Sequence, residues 1–258
     1  MSGIHSTAIV HSGAKIADGV EIGPYAVIGE RVEIGEGTRV GSHAVIEGPT
    51  TIGRDCQIFP FAAVGFMPQD LKFKGEDSRV EIGDSNVIRE YVTIHRGTEG
   101  GGMITRIGNN NLFMGYVHIA HDCIIGNHVI MANAATLAGH IHIQDHALVG
   151  GLSAVHQFVR IGRFSMIGGG SAVSLEVPPF VSVAGNRAKL FGLNAVGLRR
   201  NGFSKDQIAA LKKAYQTLFR SKLKTPEAVK KVREEQGDSE EALELAMFIE
   251  TSERGVCR

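Results

Sequence analysis

The sequence predicts a mainly β protein, a parallel β-helix of hexapeptide repeats followed by a C-terminal α-helical domain. Three observations predict this fold. An aliphatic residue recurs at every sixth position over most of the chain, small residues occupy the fourth position after it, and helical signals replace the period after Pro179. With 258 residues, 43% hydrophobic and 21% charged, the chain is large enough to bury the core that such a prism needs.

The six-residue frame begins at Ile4 and contains only apolar residues. β-Branched residues favour extended backbone, so each repeat supplies one short strand and one corner, and three repeats close a triangular coil of eighteen residues. Residues i and i+18 are therefore expected to stack. The positions in the frame are Ile4, Val10, Ile16, Ile22, Ile28, Ile34, Val40, Ile46, Ile52, Ile58, Val64, Ile82, Ile88, Ile94, Ile107, Phe113, Ile119, Ile125, Met131, Leu137, Ile143, Val149, Val155, Ile161, Ile167 and Val173.

Two segments interrupt the period and are predicted to leave the prism as loops, at about 66–79 and 96–105. Loops that interrupt a rigid scaffold often carry binding groups. The predicted domains are a β-helix over 1–185 and a helical domain over 186–258.

Helix signals define the C-terminal domain. Ser204 and Gln207 form a capping box ahead of an amphipathic run, Thr225 is the predicted N-cap of a second helix, and Ser239 that of a third. Three helices are therefore expected after the prism.

Composition excludes several classes of partner. Lys and Arg number 27, as do Asp and Glu, so no charge excess indicates nucleic acid. No run approaches the ~18 apolar residues of a membrane-spanning helix, and the repeats begin too early to leave room for a signal peptide. The three cysteines, Cys56, Cys123 and Cys257, are odd in number and far apart, which favours a reducing, cytoplasmic location.

Seven of the eleven histidines fall between residues 118 and 156. The eighteen-residue register places His121 with Asp122, Gly139 with His140, and His156 on one corner of successive coils. A neutral imidazole beside a carboxylate is suited to general-base catalysis, and the Gly139 N–H could stabilise an oxyanion. The alternative is that corners simply tolerate exposed polar residues.

A zinc site is the competing use of the same histidines. His118 and His121, or His140 and His142, have spacings that could supply ligands. However, the register aligns His118 with Thr136, so no set of ligands converges within one chain. We therefore predict no metal.

Six motifs resemble one family, the acyl-[acyl-carrier-protein]–UDP-N-acetylglucosamine O-acyltransferases, over essentially the whole chain. The resemblance implies a left-handed β-helix and a cytoplasmic homotrimer with each active site between neighbouring prisms. It also implies the first step of lipid A synthesis, in which an (R)-3-hydroxyacyl chain moves from acyl carrier protein to the 3-hydroxyl of UDP-N-acetylglucosamine without coenzyme A or another cofactor. The motifs are Gln69-Asp70-Leu71-Lys72, Ile94-His95-Arg96-Gly97, His118-Ile119-Ala120-His121-Asp122-Cys123, Leu137-Ala138-Gly139-His140, Ala154-Val155-His156-Gln157-Phe158 and Leu198-Arg199-Arg200-Asn201-Gly202-Phe203.

The resemblance also implies roles for individual residues. His121 would be the general base, Asp122 would orient it, and the Gly139 amide would hold the oxyanion. Gly169 would set acyl-chain length, and its missing side chain would favour chains longer than ten carbons. Groups of the substrates would be held by Asp70, Lys72, His118, His140, His156 and Gln157, and the nucleotide end by Asn194 and Arg200.

Two alternatives to this function remain at the level of sequence. The first is a coenzyme A-dependent acyl- or acetyltransferase acting on another sugar nucleotide. The second is a repeat scaffold without catalysis, against which the clustered His121, His140 and His156 argue.

Overall fold

The computed structural model describes residues 3–258 and confirms the predicted left-handed parallel β-helix with C-terminal helices. Three sheets form the faces of a triangular prism. The first sheet contains Gly3–Ile4, Glu21–Ile22, Arg39–Val40, Gln57–Ile58, Val87–Ile88, Leu112–Phe113, Ile130–Met131, Leu148–Val149, Met166–Ile167, Val181–Ala184 and Lys189–Leu193. The second contains Ile9–Val10, Val27–Ile28, Val45–Ile46, Ala63–Phe66, Thr93–His95, His118–Ile119, Thr136–Leu137, Ala154–Val155 and Ala172–Val173. The third contains Lys15–Ile16, Val32–Ile34, Thr50–Ile52, Arg79–Ile82, Ile104–Ile107, Ile124–Ile125, His142–Ile143 and Arg160–Ile161.

The register between coils follows the eighteen-residue prediction. Ile4 pairs with Ile22, and Leu137 pairs with Val155. The spacing rises to 30 residues where Gln57 pairs with Val87, and to 25 where Thr93 pairs with His118. The prism therefore keeps its coil geometry through both interruptions, and the extra residues leave it as loops.

The two loops are slightly shorter than the sequence indicates. Strands end at Phe66 and resume at Arg79, so the first loop is 67–78. The second loop is 96–103, contains the 3₁₀ turn Glu99–Gly101, and ends where the strand Ile104–Ile107 begins. Both loops leave the prism between the second sheet and the third.

The interior of the prism is a stacked column of aliphatic side chains. The frame residues are buried from Ile22 onward, and the small or β-branched residues four positions later, such as Ala26, Cys56 and Ala135, are buried with them. Close packing of these side chains stabilises each coil against its neighbours.

Three corners connect the sheets. We call the corner from the first sheet to the second the first corner, the corner from the second to the third the second corner, and the corner from the third to the first the third corner. The last residue of each corner typically has a positive φ, for example 58° at Tyr25, 61° at His140 and 59° at His146. This conformation turns the chain sharply and stacks equivalent side chains along the prism.

The prism ends at its last coil, which we call its upper end, and this end is covered by an antiparallel strand and four helices. Lys189–Leu193 pairs with Val181–Ala184 and so protects the last strand edge. The helices are α1 (Ala195–Arg200), α2 (Lys205–Phe219), α3 (Thr225–Glu235) and α4 (Glu240–Glu250). They pack on the prism through a cluster that includes Phe164, Phe180, Leu198, Leu211 and Leu245.

The cap predictions for α2 and α4 are confirmed, whereas that for α3 is wrong. Ser204 forms the capping box with Gln207. Lys224, not Thr225, is the N-cap of α3. The helix can start one residue earlier because the N–H groups of the first turn have no partners within the helix, so Pro226 is tolerated at the second position.

Candidate active site

The second corner brings the predicted catalytic residues together. The His121 and His140 ring centroids are 5.0 Å apart and perpendicular, and the His140 ring stacks on Phe158 at 4.4 Å. The His140 N–H donates to the His121 carbonyl across the coils. The adjacency of His121 and His140 that the eighteen-residue register predicts is therefore confirmed.

Asp122 is the buried anchor of this corner. Its side chain is 1% exposed, and Oδ2 lies 2.7 Å from His121 Nδ1. Thr98 of the second loop donates its backbone N–H to Oδ1 at 2.8 Å and its hydroxyl to Oδ2 at 2.6 Å. The Asp122 N–H donates to Thr105 Oγ1 at 2.8 Å. An ionised carboxylate only accepts hydrogen bonds, so His121 Nδ1 carries the proton and Nε2 keeps a free lone pair.

The neighbouring imidazoles are held neutral. Burial lowers the pKa of His95 to about 4, with His118 and His121 acting in the same direction. Burial also lowers the pKa of His118 and His140, and at His140 the nearby Asp122 carboxylate only partly opposes the effect. His118 Nδ1 lies 2.7 Å from Thr93 Oγ1, while His95 packs edge-on against the His118 ring.

Gly139 lies against the His121 imidazole. A β-carbon at this position would fall 2.4 Å from His121 Cε1 and 2.7 Å from Nε2, so only glycine fits beside the ring in this position. The Gly139 N–H donates to no backbone carbonyl of residues 3–258. Pro24 and Pro60 occupy the equivalent middle position of the first corner, so the fold does not require this N–H. It is therefore available to a bound ligand.

A groove of about 980 Å³ opens beside this corner along the second sheet. Five predicted site residues line it: His118, His121, Gly139, His156 and Gln157. Its walls also contain backbone and small side chains of the second sheet, including Thr136, Ala154 and Ala172. A long apolar chain with a polar head group would find both kinds of surface here.

The first loop reaches the same groove. Gln69 lines it, and the charges of Asp70 and Lys72 lie close enough to act in opposite directions on the pKa of His140. The Lys72 N–H donates to Asp70 Oδ1 at 2.9 Å, which fixes the turn that carries both side chains. The loop thus brings one anion and one cation to the histidine cluster.

Three other predicted residues lie away from this groove within one chain. Asn194 caps α1, and its Nδ2 donates to the Phe164 carbonyl at the third corner. Arg200 ends the same helix. Gly169 lies at the first corner, where an added β-carbon would be 3.2 Å from the Gly151 carbonyl oxygen.

Several residues at the site were not predicted from the sequence. Thr98 and Thr105 hold Asp122. Thr98 lies in the second loop, whose interrupted period gives no register that would align it, and Thr105 lies in the strand that follows this loop. Arg187 and Arg254 line the groove. Neither arginine belongs to the six-residue frame or to one of the six motifs, so no pattern in the sequence indicates its place at the groove.

A divalent cation could meet three ligand atoms here. One ligand atom from each of His121, Asp122 and His140 lies within 4.8 Å of the others. Unlike the pairs considered from sequence, this set does converge at one corner. However, both Asp122 oxygens and His121 Nδ1 are already engaged in the hydrogen bonds to Thr98 and to one another. The set is therefore arranged to orient an imidazole rather than to present free lone pairs to an ion.

Comparisons with known proteins identify the family. The chain is 56% identical to the acyl-[acyl-carrier-protein]–UDP-N-acetylglucosamine O-acyltransferase of Thermodesulfovibrio yellowstonii over 258 residues, which is 100% of both chains. The chain belongs to the UDP-N-acetylglucosamine O-acyltransferase family. The enzyme of the same name from Herminiimonas arsenicoxydans is 50% identical, again over 100% of both chains.

Family models and solved structures agree with this membership. Residues 176–257 match the model of domain 2 of the UDP-N-acetylglucosamine O-acyltransferases, and residues 13–48 and 104–139 match the bacterial transferase hexapeptide model. The UDP-N-acetylglucosamine O-acyltransferase of Moraxella catarrhalis superposes with a TM-score of 0.96 at 46% identity, covering 99% of both chains. The Arabidopsis UDP-N-acetylglucosamine acyltransferase gives 0.85 at 38% identity, covering 99% of this chain and 100% of that one. The O-acyltransferase class that the motifs predict is thus confirmed.

Among residues 3–258, no helix combines the length and the apolar character that crossing a bilayer requires.

Proposed function

We propose that the chain transfers an (R)-3-hydroxyacyl group from acyl carrier protein to the 3-hydroxyl of UDP-N-acetylglucosamine, the first step of lipid A synthesis, in the cytoplasm. Family membership supports the substrates and the reaction class. The observation that carries the mechanism is the buried pair of Asp122 and His121 at 2.7 Å beside a groove, with the Gly139 N–H free next to the imidazole.

In the proposed mechanism His121 acts as the general base. Nε2 removes the proton from the sugar 3-hydroxyl as its oxygen attacks the thioester carbonyl, and Asp122 stabilises the imidazolium that forms. The Gly139 N–H donates to the oxyanion of the tetrahedral intermediate. When the C–S bond breaks, the imidazolium returns the proton to the carrier-protein sulfur, leaving an ester and a free thiol.

The other predicted residues are proposed to bind substrate. Asp70 and Lys72 reach the histidine cluster from the first loop, where they can bind the sugar and a phosphate. The neutral imidazoles of His118 and His140 can each donate or accept one hydrogen bond. His156 and Gln157 extend the same wall upward along the groove, and Gly169 is proposed to limit acyl-chain length.

We further propose a homotrimer in which neighbouring chains complete each site. Within one chain Asn194 contacts the third corner and Arg200 ends the helix that Asn194 caps, whereas His121 lies at the second corner. Around a threefold axis, each interface joins two different surfaces of the same chain, so the third corner of one prism can face the second corner of the next. This arrangement brings both sets of residues to one groove.

A donor and acceptor assay tests the function. Purified protein should transfer 3-hydroxyacyl groups from acyl carrier protein, but not from coenzyme A, to UDP-N-acetylglucosamine, and it should keep its activity after dialysis against EDTA. A preference for the 3-amino acceptor or for coenzyme A would contradict the proposal. Substitution His121→Ala should lower kcat by about 10²- to 10⁴-fold, the contribution of general-base catalysis. Near-normal turnover of this variant would show that His121 is not the general base.

Mixed trimers test the shared site. His121→Ala and Arg200→Ala homotrimers should both be weak, and chains mixed at random in equal amounts should recover about a quarter of wild-type activity, because each mixed trimer contains one intact interface in three. A matched mixture of His121→Ala with Asp122→Ala should recover none, since both residues belong to one corner. Absence of recovery in the first mixture would place all residues in one chain.

A further inference from the structure

We propose that Arg254, carried by the C-terminal segment of the chain, binds a phosphate group of a substrate at the upper end of the catalytic groove. The inference rests on the proposed function, because it concerns the same groove. Its starting point is that Arg254 lines this groove together with His118, His121 and His156, although it lies more than a hundred residues beyond His121 in the sequence. Its Nη2 is 3.4 Å from His156 Nδ1.

The segment that carries Arg254 is pinned to the last coil of the prism. The Glu176 N–H donates to the Gly255 carbonyl at 3.0 Å, and the Cys257 N–H donates to the Glu176 carbonyl at 2.9 Å. Val256 therefore pairs with Glu176 in a parallel β-bridge, and the side chains of Val256 and Cys257 are buried. The guanidinium is held at the groove by this backbone pairing rather than by a free tail.

An ion pair with a buried carboxylate fixes Glu176, the residue with which the segment pairs. The Glu176 carboxylate accepts from Arg160 Nε at 3.0 Å and from Nη2 at 2.8 Å, and its side chain is 2% exposed. Arg160 also donates to the Thr251 carbonyl at 2.9 Å and lies over the Phe248 ring. The same arginine thus joins the last coil, the end of α4 and the C-terminal segment, so the position of Arg254 is set by several independent contacts.

The charge of the groove selects an anion. Arg187 and Arg254 contribute two guanidinium groups, and no aspartate or glutamate is among the described residues that line it. Within residues 3–258 neither arginine forms an ion pair. An unpaired guanidinium presents a planar fork of donors that matches the oxygens of a phosphate. The neighbouring His156 ring supplies a further polar atom to the same ligand.

Both substrates of the proposed reaction carry such a group. The sugar nucleotide contains a pyrophosphate, and the carrier protein presents its thioester on an arm attached through a phosphodiester. The shared chemistry is a phosphate oxygen anion. Measuring the KM for each substrate separately shows whether Arg254 binds the pyrophosphate of the sugar nucleotide or the phosphodiester of the carrier-protein arm.

The test is a steady-state comparison of Arg254→Gln with the wild-type protein. Glutamine keeps much of the length and polarity but removes the charge and the fork. We expect the KM for one substrate to rise about tenfold, since a hydrogen bond to a charged group at an accessible site contributes roughly that factor, while kcat stays within about twofold. A rise confined to UDP-N-acetylglucosamine identifies the pyrophosphate, and a rise confined to the acyl donor identifies the phosphodiester.

Arg258→Gln is the matched control, because Arg258 lies in the same segment but donates to Thr225 Oγ1, away from the groove. Its KM values should not change. Arg254→Lys should show a smaller rise than Arg254→Gln, since an ammonium keeps the charge without the fork, and it serves as the test if the glutamine variant does not fold. Unchanged KM values for both substrates, or a fall in kcat alone, would overturn the inference. Because the wild-type protein is assayed in parallel, failure of the proposed function would be seen separately, as absence of transfer by the wild type.

Discussion

Substitution Gly139→Ala tests the catalytic corner most directly. The added methyl carbon would lie 2.4 Å from His121 Cε1, 2.7 Å from Nε2 and 3.0 Å from Nδ1, whereas ordinary contacts begin at 3.4 Å. The imidazole would therefore have to move by about 1 Å, because the backbone of a packed coil yields less easily than one side chain. Such a movement breaks the alignment of Nδ1 with the Asp122 carboxylate, which depends on a 2.7 Å bond.

The expected result is a fall in kcat of about 10²- to 10⁴-fold. The lower figure corresponds to a misplacement of about 1 Å, and the upper figure to complete loss of the general base. The alanine keeps the backbone N–H, so the change should act through His121. The double variant with His121→Ala should accordingly be little worse than His121→Ala alone, because two changes that remove the same interaction do not add.

Gly115→Ala is the control for this prediction. Gly115 occupies the equivalent middle position at the first corner, and its added β-carbon would meet only Asn133 Nδ2 at 3.3 Å and the Glu90 carbonyl oxygen at 3.5 Å. The control should keep kcat within about twofold and both variants should keep cooperative thermal unfolding. A Gly139→Ala protein with kcat within threefold of wild type would refute the proposed position of the imidazole.

Three further predictions follow from the same geometry. Asp122→Asn should lower kcat on the order of 10²-fold or more, because an amide cannot accept all the hydrogen bonds that Thr98 and His121 donate to the carboxylate. A normal kcat with a normal pH–rate profile would contradict the orienting role of Asp122. Burial lowers the pKa of His95 to about 4 in the folded protein, against about 6.5 unfolded, so the unfolded chain binds more protons between these values. Stability should therefore fall by about 3 kcal/mol as pH drops from 6.5 to 4, and urea unfolding of His95→Gln should show a shallower pH dependence; equal slopes would contradict it. Gly169→Met should shift selectivity toward shorter hydroxyacyl donors in a competition assay, and unchanged selectivity would remove Gly169 as the determinant of chain length.

The coil register could be predicted because every coil repeats the same eighteen-residue spacing, so the position of one residue gives the position of its neighbour in the next coil. Once the eighteen-residue coil is fixed, the stacking of His121 beneath Gly139 follows without any knowledge of loops. The inward positions follow in the same way, since small or β-branched residues, such as Ala135 and Val129, fit beside a stacked aliphatic column. The register also places Thr136 beside His118, as predicted.

The remainder of the site could not be predicted because it lies where the period is broken. Thr98 lies in an irregular loop, so no spacing relates it to Asp122. Arg254 reaches the groove through a β-bridge formed by the last residues of the chain, a pairing that depends on the path of four helices. Asn194 lies at a different corner from His121 because the antiparallel strand Lys189–Leu193 redirects the chain, a turn that the hexapeptide frame does not contain.

The position of the active site along the prism is explained by these interruptions. In coils that keep a regular second corner, its middle residue has an N–H that donates to no backbone carbonyl among the described residues, as at Glu30, Gly139 and Gln157, so the repeat alone provides several similar places for chemistry. Both loops leave from this corner, and His121 lies in the first coil after the second loop. Only there can a loop residue, Thr98, bind and bury the carboxylate of Asp122, while the coil above supplies an unhindered glycine N–H. The repeat thus supplies the geometry of the proposed oxyanion site, and the break in the repeat supplies the buried carboxylate beside His121, the proposed base.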